Sequence, residues 1–262
     1  MSNYYFSKNY WITKLLLSLF FFCSLFMINI VFATSPTGPE KPSSPKNPTI
    51  GNGDRTGGGC AATKETLTVL TVLSQVYGKT VSTRPVFSWF VPDIKSYPME
   101  LYLYEYSKNG YGKEIFEKIP LESKFGIMNY TFSDEIPSLS VGKKYIWQIA
   151  LICDKSHPSK DVIAEAVFEV VDIPENLKNQ LERAKSNKER AELYARFGFW
   201  YDALAEIENE TKNREFQLSL LEKIKQSEIE GANNLQGSSR KDLEDQAQRL
   251  QLVIDVEKQK RQ

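Results

Sequence analysis

Residues 138–154 read SLSVGKKYIWQIALICD, and the second half of that stretch decides the fold. From Tyr145 onward the side chains alternate. Tyr145, Trp147, Ile149, Leu151 and Cys153 point one way, and Ile146, Gln148, Ala150, Ile152 and Asp154 the other, because successive residues of a strand face opposite sides. The first set is a continuous apolar face. The stretch is therefore expected to be a central strand, entered through a turn at Val141-Gly142.

Working outward, residues 66–171 divide into about seven short strands: 66–73, 85–91, 99–106, 113–119, 127–132, 144–153 and 162–171. Turn chemistry separates them at Tyr77-Gly78, Pro92-Asp93, Asn109-Gly110, Phe125-Gly126, Val141-Gly142 and His157-Pro158. Short strands at this spacing point to an all-β sandwich, and Leu139-x-x-Gly142-x-x-Tyr145 resembles the tyrosine corner of immunoglobulin-like and fibronectin-like sandwiches. Tyr145, Trp147 and Trp89 then have structural roles. The expected core faces are Phe87, Trp89 and Val91; Met99, Leu101 and Leu103; and Val162, Ala164, Ala166, Phe168 and Val170. Alternation leaves Glu165 and Glu169 in water and places Tyr102, Tyr104 and Tyr106 together on the opposite face of their strand.

Before the sandwich come two segments of different composition. Residues 1–33 carry Lys8 and Lys14, then an apolar run from 15 to 31, then Val31-Phe32-Ala33. This is the pattern of a secretory signal peptide cleaved after Ala33. An uncleaved membrane anchor is the alternative, because the run approaches spanning length. Residues 34–62 form a Pro/Gly-rich linker. Pro36, Pro39, Pro42, Pro45 and Pro48 recur every third residue, the period of polyproline II, and glycines follow them. The linker is read as a spacer, not as a phosphate loop, since no Gly-Lys-Ser/Thr ending follows a strand. Export allows a disulfide. Cys60 and Cys153 are the expected pair, with Cys23 in the apolar run.

After Pro174 the pattern turns helical. Pro174-Glu175 suits a first helical turn. Ala191, Tyr194, Gly198, Trp200, Ala203 and Ile207 are spaced like one tetratricopeptide hairpin, with Gly198 at its turn. Residues 215–230 form a further helix, 231–239 a polar loop, and 240–262 a charged, Gln-rich helix with a thin apolar stripe, frayed when alone. The organisation expected is thus a signal peptide (1–33), a linker (34–62), a β-sandwich (63–172), a small helical domain (173–230), and a loop with a charged tail (231–262). One hairpin and one helix cannot close a core by themselves, so the helical part is expected to dock on the sandwich. Phe197, Phe199 and Trp200 would cover the tyrosines there.

These pieces occur in an order that resembles one family. The residues are Arg55 through the glycines to Cys60; Ser82-Thr83-Arg84-Pro85-x-Phe87-x-Trp89-x-Val91-Pro92; and Val141-Gly142-Lys143-x-Tyr145-x-Trp147. They continue with Ile152-Cys153-Asp154, Arg190-Ala191-x-Leu193-Tyr194-Ala195, and Gly198-x-Trp200-Tyr201-Asp202-Ala203-Leu204. The chain resembles the family catalogued as domain of unknown function 928. The resemblance implies an exported cyanobacterial protein and implies no activity. Ala166-Val167 departs from the Gly-Trp of the family pattern, and residues 240–262 have no counterpart in it.

The formal net charge is zero, with 33 Lys+Arg against 33 Asp+Glu, so there is no basic footprint for nucleic acid. The single histidine, His157, cannot assemble the usual zinc set, and no Gly-x-Ser-x-Gly turn accompanies it. Asp134-Glu135 and Glu165/Glu169 are the visible carboxylate pairs, and nothing marks them as convergent. The reading is therefore non-catalytic, without metal or cofactor. It is an exported envelope or extracellular protein that binds another protein. The alternative is a carbohydrate-binding module using an aromatic face of Tyr102, Tyr104, Tyr106 and Trp200.

Overall fold

The structure is a computed structural model that describes residues 60, 67–73, 77–107, 110–116, 118–207 and 214–260. The expected signal peptide, and the linker apart from Cys60, lie outside the described residues. A sheet-rich region comes first and helices follow, as the patterning required.

Nine strands are present among the described residues: β1 Thr68–Val69, β2 Gly78–Thr80, β3 Val86–Val91, β4 Pro98–Ser107, β5 Gly110–Glu114, β6 Ile119–Glu122, β7 Gly126–Thr131, β8 Lys144–Leu151 and β9 Val162–Val170. They form a three-stranded sheet, β1-β3-β7, and a six-stranded sheet, β2-β9-β8-β4-β5, in which β6 also pairs with β4. The stretch 144–151 is a central strand as its alternation demanded. It pairs antiparallel with β4 on one side (Leu103↔Trp147) and β9 on the other (Trp147↔Ala166). The two sheets meet through the expected apolar faces. Phe87 stacks on Trp147 at 4.8 Å between ring centroids, and Trp89 lies 6.4 Å from Trp147. Leu101, Leu103, Ile149, Ala164 and Phe168 complete that core, all fully buried.

The expectation of about seven strands undercounts. The segment 113–119 is two strands, split where Ile115 and Phe116 turn toward the core and Ile115 donates its amide to the Leu103 carbonyl at 2.9 Å. Tyr77-Gly78 is not a turn. Gly78 opens β2, which runs parallel to β9. A glycine inside a strand marks a close approach as readily as a bend. Here a Cβ on Gly78 would sit 2.9 Å from the ring of Tyr201.

Five helices follow: α1 Glu175–Leu181, α2 Asn187–Arg196, α3 Trp200–Ala205, α4 Arg214–Asn233 and α5 Gly237–Gln259. Pro174 is the N-cap of α1, and the Ser186 hydroxyl accepts the Glu189 amide to cap α2. Gly198 takes φ +81° in the α2–α3 turn, a region open to glycine, and Ala191 and Ala203 are fully buried where the two helices meet. None of the helices among the described residues is long and apolar enough to cross a membrane.

The tail differs most from expectation. Residues 237–259 are one continuous helix, and Gly231 lies inside α4 instead of in a loop. The apolar stripe of α5 is thicker than Leu243, Leu250 and Val253, because Ala247 and Ile254 are buried with them. Arg214–Glu257 (2.9 Å), Lys225–Gln251 (2.6 Å) and Lys258–Glu222 (3.2 Å) join the start and middle of α4 to the later part of α5, and α4 and α5 run antiparallel. Both also finish the edge of β1. The Gln246 amide donates to the Val69 carbonyl at 3.0 Å, and the buried Glu228 carboxylate accepts the Leu73 amide.

The helices pack on the sheets, but not over the tyrosines. Their partner is the outer face of the three-stranded sheet, where Leu70, Val72, Phe90 and Ile127 meet Leu177, Tyr194, Trp200, Leu221, Leu250 and Ile254. β3 is thus buried on both faces, not only through Phe87, Trp89 and Val91. One helical residue goes further. Tyr201 enters the core between the sheets, against Phe168 (5.4 Å) and Phe87 (6.1 Å), and its hydroxyl accepts the Trp147 indole N–H at 3.0 Å. Its neighbour Asp202 is buried and accepts from the Thr80 hydroxyl and the Val81 amide, both at 3.1 Å. Burial pushes that carboxyl up to about 6, and the Val81 and Thr80 bonds offset only part of the rise.

Cys60 and Cys153 are joined, with their Cα atoms 5.1 Å apart. Tyr145 is buried, and its hydroxyl accepts the Ser140 amide at 2.9 Å.

Two expected outcomes follow from these contacts. Tyr145→Phe and Tyr201→Phe each remove one hydroxyl acceptor. Ser140 is exposed, so water can replace the first. The Trp147 indole is fully buried, so nothing replaces the second. Denaturant unfolding should give a loss of about 1–3 kcal/mol for Tyr201→Phe and about 1 kcal/mol or less for Tyr145→Phe. Equal losses would contradict the geometry. The second outcome concerns Asp202. Its folded carboxyl binds a proton that an unfolded chain releases near 3.8. The stabilising contribution of that proton is complete below 3.8 and is lost as pH rises through about 6. At about 1.4 kcal/mol per pH unit, the stability difference between the wild type and Asp202→Asn should fall by on the order of 2–3 kcal/mol across that window. A difference that does not change with pH would refute it.

Candidate functional site

Strand β4 builds the site because it is ten residues long and alternates from Pro98 to Tyr104. Met99, Leu101 and Leu103 turn inward and are fully buried, while Glu100, Tyr102, Tyr104 and Tyr106 stand on the outer face, half-buried. The sheet's cross-strand register adds the rest. Tyr102 lies opposite Gln148, Tyr104 opposite Ile146 on one side and Glu114 on the other, and Tyr106 opposite Tyr111. Beyond β8, Gln148 faces Glu165 and Ile146 faces Val167.

The rings form a connected surface. Tyr102 and Tyr104 are parallel, with centroids 6.2 Å apart, and Tyr111 meets Tyr104 edge-on at 5.1 Å. Tyr77 meets Tyr106 edge-on at 5.6 Å, and the Lys144 ammonium lies 3.9 Å from the centre of the Tyr77 ring. Tyr77, Tyr106 and Tyr111 pack over Ile146 and Val167, which explains why those two outward-facing aliphatics are buried. The three tyrosines named from the sequence are therefore together. Tyr111 and Tyr77 were missed. Tyr111 follows a turn in a segment without clear alternation, and Tyr77 stands in a Tyr-Gly pair that reads as a turn.

Polar groups sit among the rings. The Tyr102 hydroxyl donates to Glu100, which also pairs with Lys118. Burial pushes the Glu100 carboxyl up, but hydrogen bonds from Lys118 and Tyr102 outweigh it and hold the group below its ordinary range. The Tyr111 hydroxyl donates to Glu165, and the Gln148 amide donates to Glu165 at 3.0 Å and to the Tyr111 oxygen at 3.1 Å. Glu165 is 7% exposed and Gln148 4%. The expectation that Glu165 is a solvated strand charge is thus wrong. The neighbouring tyrosine covers it, which no alternation pattern along one strand can reveal. The Tyr104 phenol is pushed up to about 12 by burial first, then by the Glu114 and Glu165 carboxylates. The Tyr102 phenol is raised further, by burial and by its bond to Glu100.

Trp200 does not belong to this face. It is buried in the cluster that joins the helices to the three-stranded sheet, and its edge lines an open groove of about 440 Å³ with Glu192, Arg196, Lys223, Gln226 and Glu230. Its place in the sequence, after the Gly198 turn, puts it on the helix that faces β3 instead of β4. His157 stands on an exposed turn with Nδ1 2.7 Å from Asp154, and Lys160 reaches the same carboxylate at 3.0 Å. Asp154 is held below the ordinary carboxylate range by bonds from Lys160, the Ser156 amide and His157. Trp89, Trp147 and Tyr145 are buried between the sheets, and Gly198 takes a positive φ.

The family resemblance can now be set beside the geometry. A family model described as Domain of Unknown Function (DUF928) matches residues 50–230. The chain belongs to this family. The match takes in the sheets, the disulfide, α1–α3 and most of α4, and stops before α5. No curated protein matches the chain.

The burial contrast along β9 generates a test. Glu165→Ala removes the acceptor shared by the Tyr111 hydroxyl and the Gln148 amide, and should lower unfolding stability by on the order of 2–3 kcal/mol. Glu169→Ala, at a half-buried position near the end of the same strand, should stay within about 0.5 kcal/mol. Similar effects of the two variants in denaturant unfolding would show that Glu165 is solvated after all.

Proposed function

We propose that the chain is an exported, non-catalytic protein of a cyanobacterial envelope or cell exterior that holds carbohydrate on the tyrosine face of its six-stranded sheet. One observation carries the reading: the helices cover the other sheet, while among the described residues the row Tyr102–Tyr104 with Tyr111 has only neighbouring side chains around it. Parallel aromatic rings with adjoining amide and carboxylate groups suit sugars. Rings take the apolar C–H faces, and planar polar groups take the hydroxyls. Export is supported by the basic lead, apolar run and Val-Phe-Ala ending of residues 1–33, and by the Cys60–Cys153 bond, which belongs in an oxidising compartment.

In this proposal the paired sheets are a variant of the immunoglobulin-like sandwich, with Tyr145 as its tyrosine corner, and α2–α3 is a single tetratricopeptide-like hairpin. The Tyr145–Ser140 bond and the Gly198 turn support those comparisons, and the parallel β2–β9 pair departs from the first. A second reading is binding of a protein through the helical part. The groove beside Trp200 favours it, since Arg196 and Lys223 line that groove and make no ion pair or hydrogen bond among the described residues.

The test uses protein recovered from its own compartment. The chain should begin at Thr34, with Cys60 and Cys153 joined in peptide mapping, and should bind glycans on an array. Tyr104→Ala should lose that binding while keeping the same melting midpoint within a few degrees. Full binding by Tyr104→Ala, or none by the wild type, would displace the carbohydrate reading in favour of the helical groove.

A further inference from the structure

We propose that the tyrosine face selects glycans bearing free amino groups, an inference that rests on the carbohydrate reading above. The argument is the placement of charge around Tyr104. Glu114 lies directly across from it on β5, is exposed, and makes no ion pair or hydrogen bond among the described residues. On the other side Tyr111 packs edge-on against Tyr104 and donates its hydroxyl to Glu165. Glu165 accepts from both Tyr111 and Gln148 through one oxygen, which fixes its carboxyl group beside the Tyr104–Tyr111 pair.

Three nearby lysines are engaged, the exposed Lys113 acts on Glu105, and the exposed Lys79 stands on β2 at the far edge of the sheet. Lys118 is paired with Glu100, Lys143 with Glu105 at 2.8 Å, and Lys144 sits over Tyr77 toward the opposite edge. The middle of the platform is therefore an aromatic surface with two carboxylates beside it. Burial first, and then the Glu114 and Glu165 carboxylates, disfavour ionisation of the Tyr104 phenol, so added negative charge is unwelcome there. An ammonium meets those carboxylates with the opposite sign and gains a further cation–π contact with the rings. A uronate or sulfate is repelled. A neutral or N-acetylated sugar gains only the stacking and the hydrogen bonds. The free amine thus decides among glycans of one shape.

The experiment is calorimetric titration of the full, disulfide-bonded chain with three oligosaccharides of equal length. They are a glucosamine oligomer, its N-acetylated counterpart and an oligoglucuronate. The glucosamine oligomer should bind about tenfold more tightly than the N-acetylated one, equivalent to about 1.4 kcal/mol, and the glucuronate weakest of all. Glu114→Gln, an exposed and near-isosteric change, should shrink that ratio to about threefold or less without altering affinity for the N-acetylated oligomer. Raising salt should act in the same direction. Tyr104→Ala should weaken all three, which separates the face from acidic patches elsewhere. Equal affinity for the amine and N-acetyl forms, or a ratio that Glu114→Gln leaves unchanged, overturns the amine selectivity and leaves the carbohydrate reading standing. Binding of none of the three overturns both.

Discussion

The rest of the structure depends on the seating of Tyr201. A three-stranded sheet faces a six-stranded one, and a helix donates a ring to the space between them. That ring contacts Phe87 and Phe168, one from each sheet, and its hydroxyl satisfies the indole of Trp147 at the centre of the larger sheet. A buried indole without an acceptor is costly, so the sheets and α3 are mutually dependent. Gly78 is the consequence in the sequence, because β2 passes close enough to Tyr201 to exclude a side chain. Asp202 then ties the start of α3 to the end of β2 through Thr80 and Val81.

Once α3 is seated, the other helices have little choice. α2 is joined to α3 by the tight turn at Gly198, and α4 and α5 close over the outer face of β1 and β3. Their polar side chains also complete the β1 edge, where Gln246 and Glu228 take the backbone groups that another strand would have paired. Among the described residues, the larger sheet covers its own outer surface. It does so with tyrosines. Ile146 and Val167 are buried beneath Tyr77, Tyr106 and Tyr111, and Glu165 and Gln148 are buried beside them. This self-made cover is also the surface that carries the proposed function.

Much of this was legible beforehand. The alternation in 144–151, 86–91, 98–107 and 162–170 marks strands and their inward faces, since a period of two leaves no other assignment for runs such as Met99-x-Leu101-x-Leu103. The disulfide pair follows from having two cysteines outside the N-terminal apolar run. The grouping of Tyr102, Tyr104 and Tyr106 follows from the same period. β2 was not legible, because its glycine signals a close neighbour and a turn with the same letter. Nor was the firmness of α5, whose apolar stripe looks thin until α4 and β1 supply the surface that Ala247 and Ile254 fill.

The sequence by itself determined which residues share a face, because strand and helix periods act within a few residues of chain. Only the tertiary structure decided what covers each face. Ser88 and Phe90 on β3, and Tyr102 and Tyr104 on β4, are all outward by alternation. Phe90 packs against helices, and among the described residues Tyr102 and Tyr104 do not. Glu165 and Glu169 are likewise equivalent by period, yet one is sealed under Tyr111 and the other stands near the strand's end. Burial depends on contacts between residues as far apart as Trp147 and Tyr201, and such contacts leave no periodic signal in the chain.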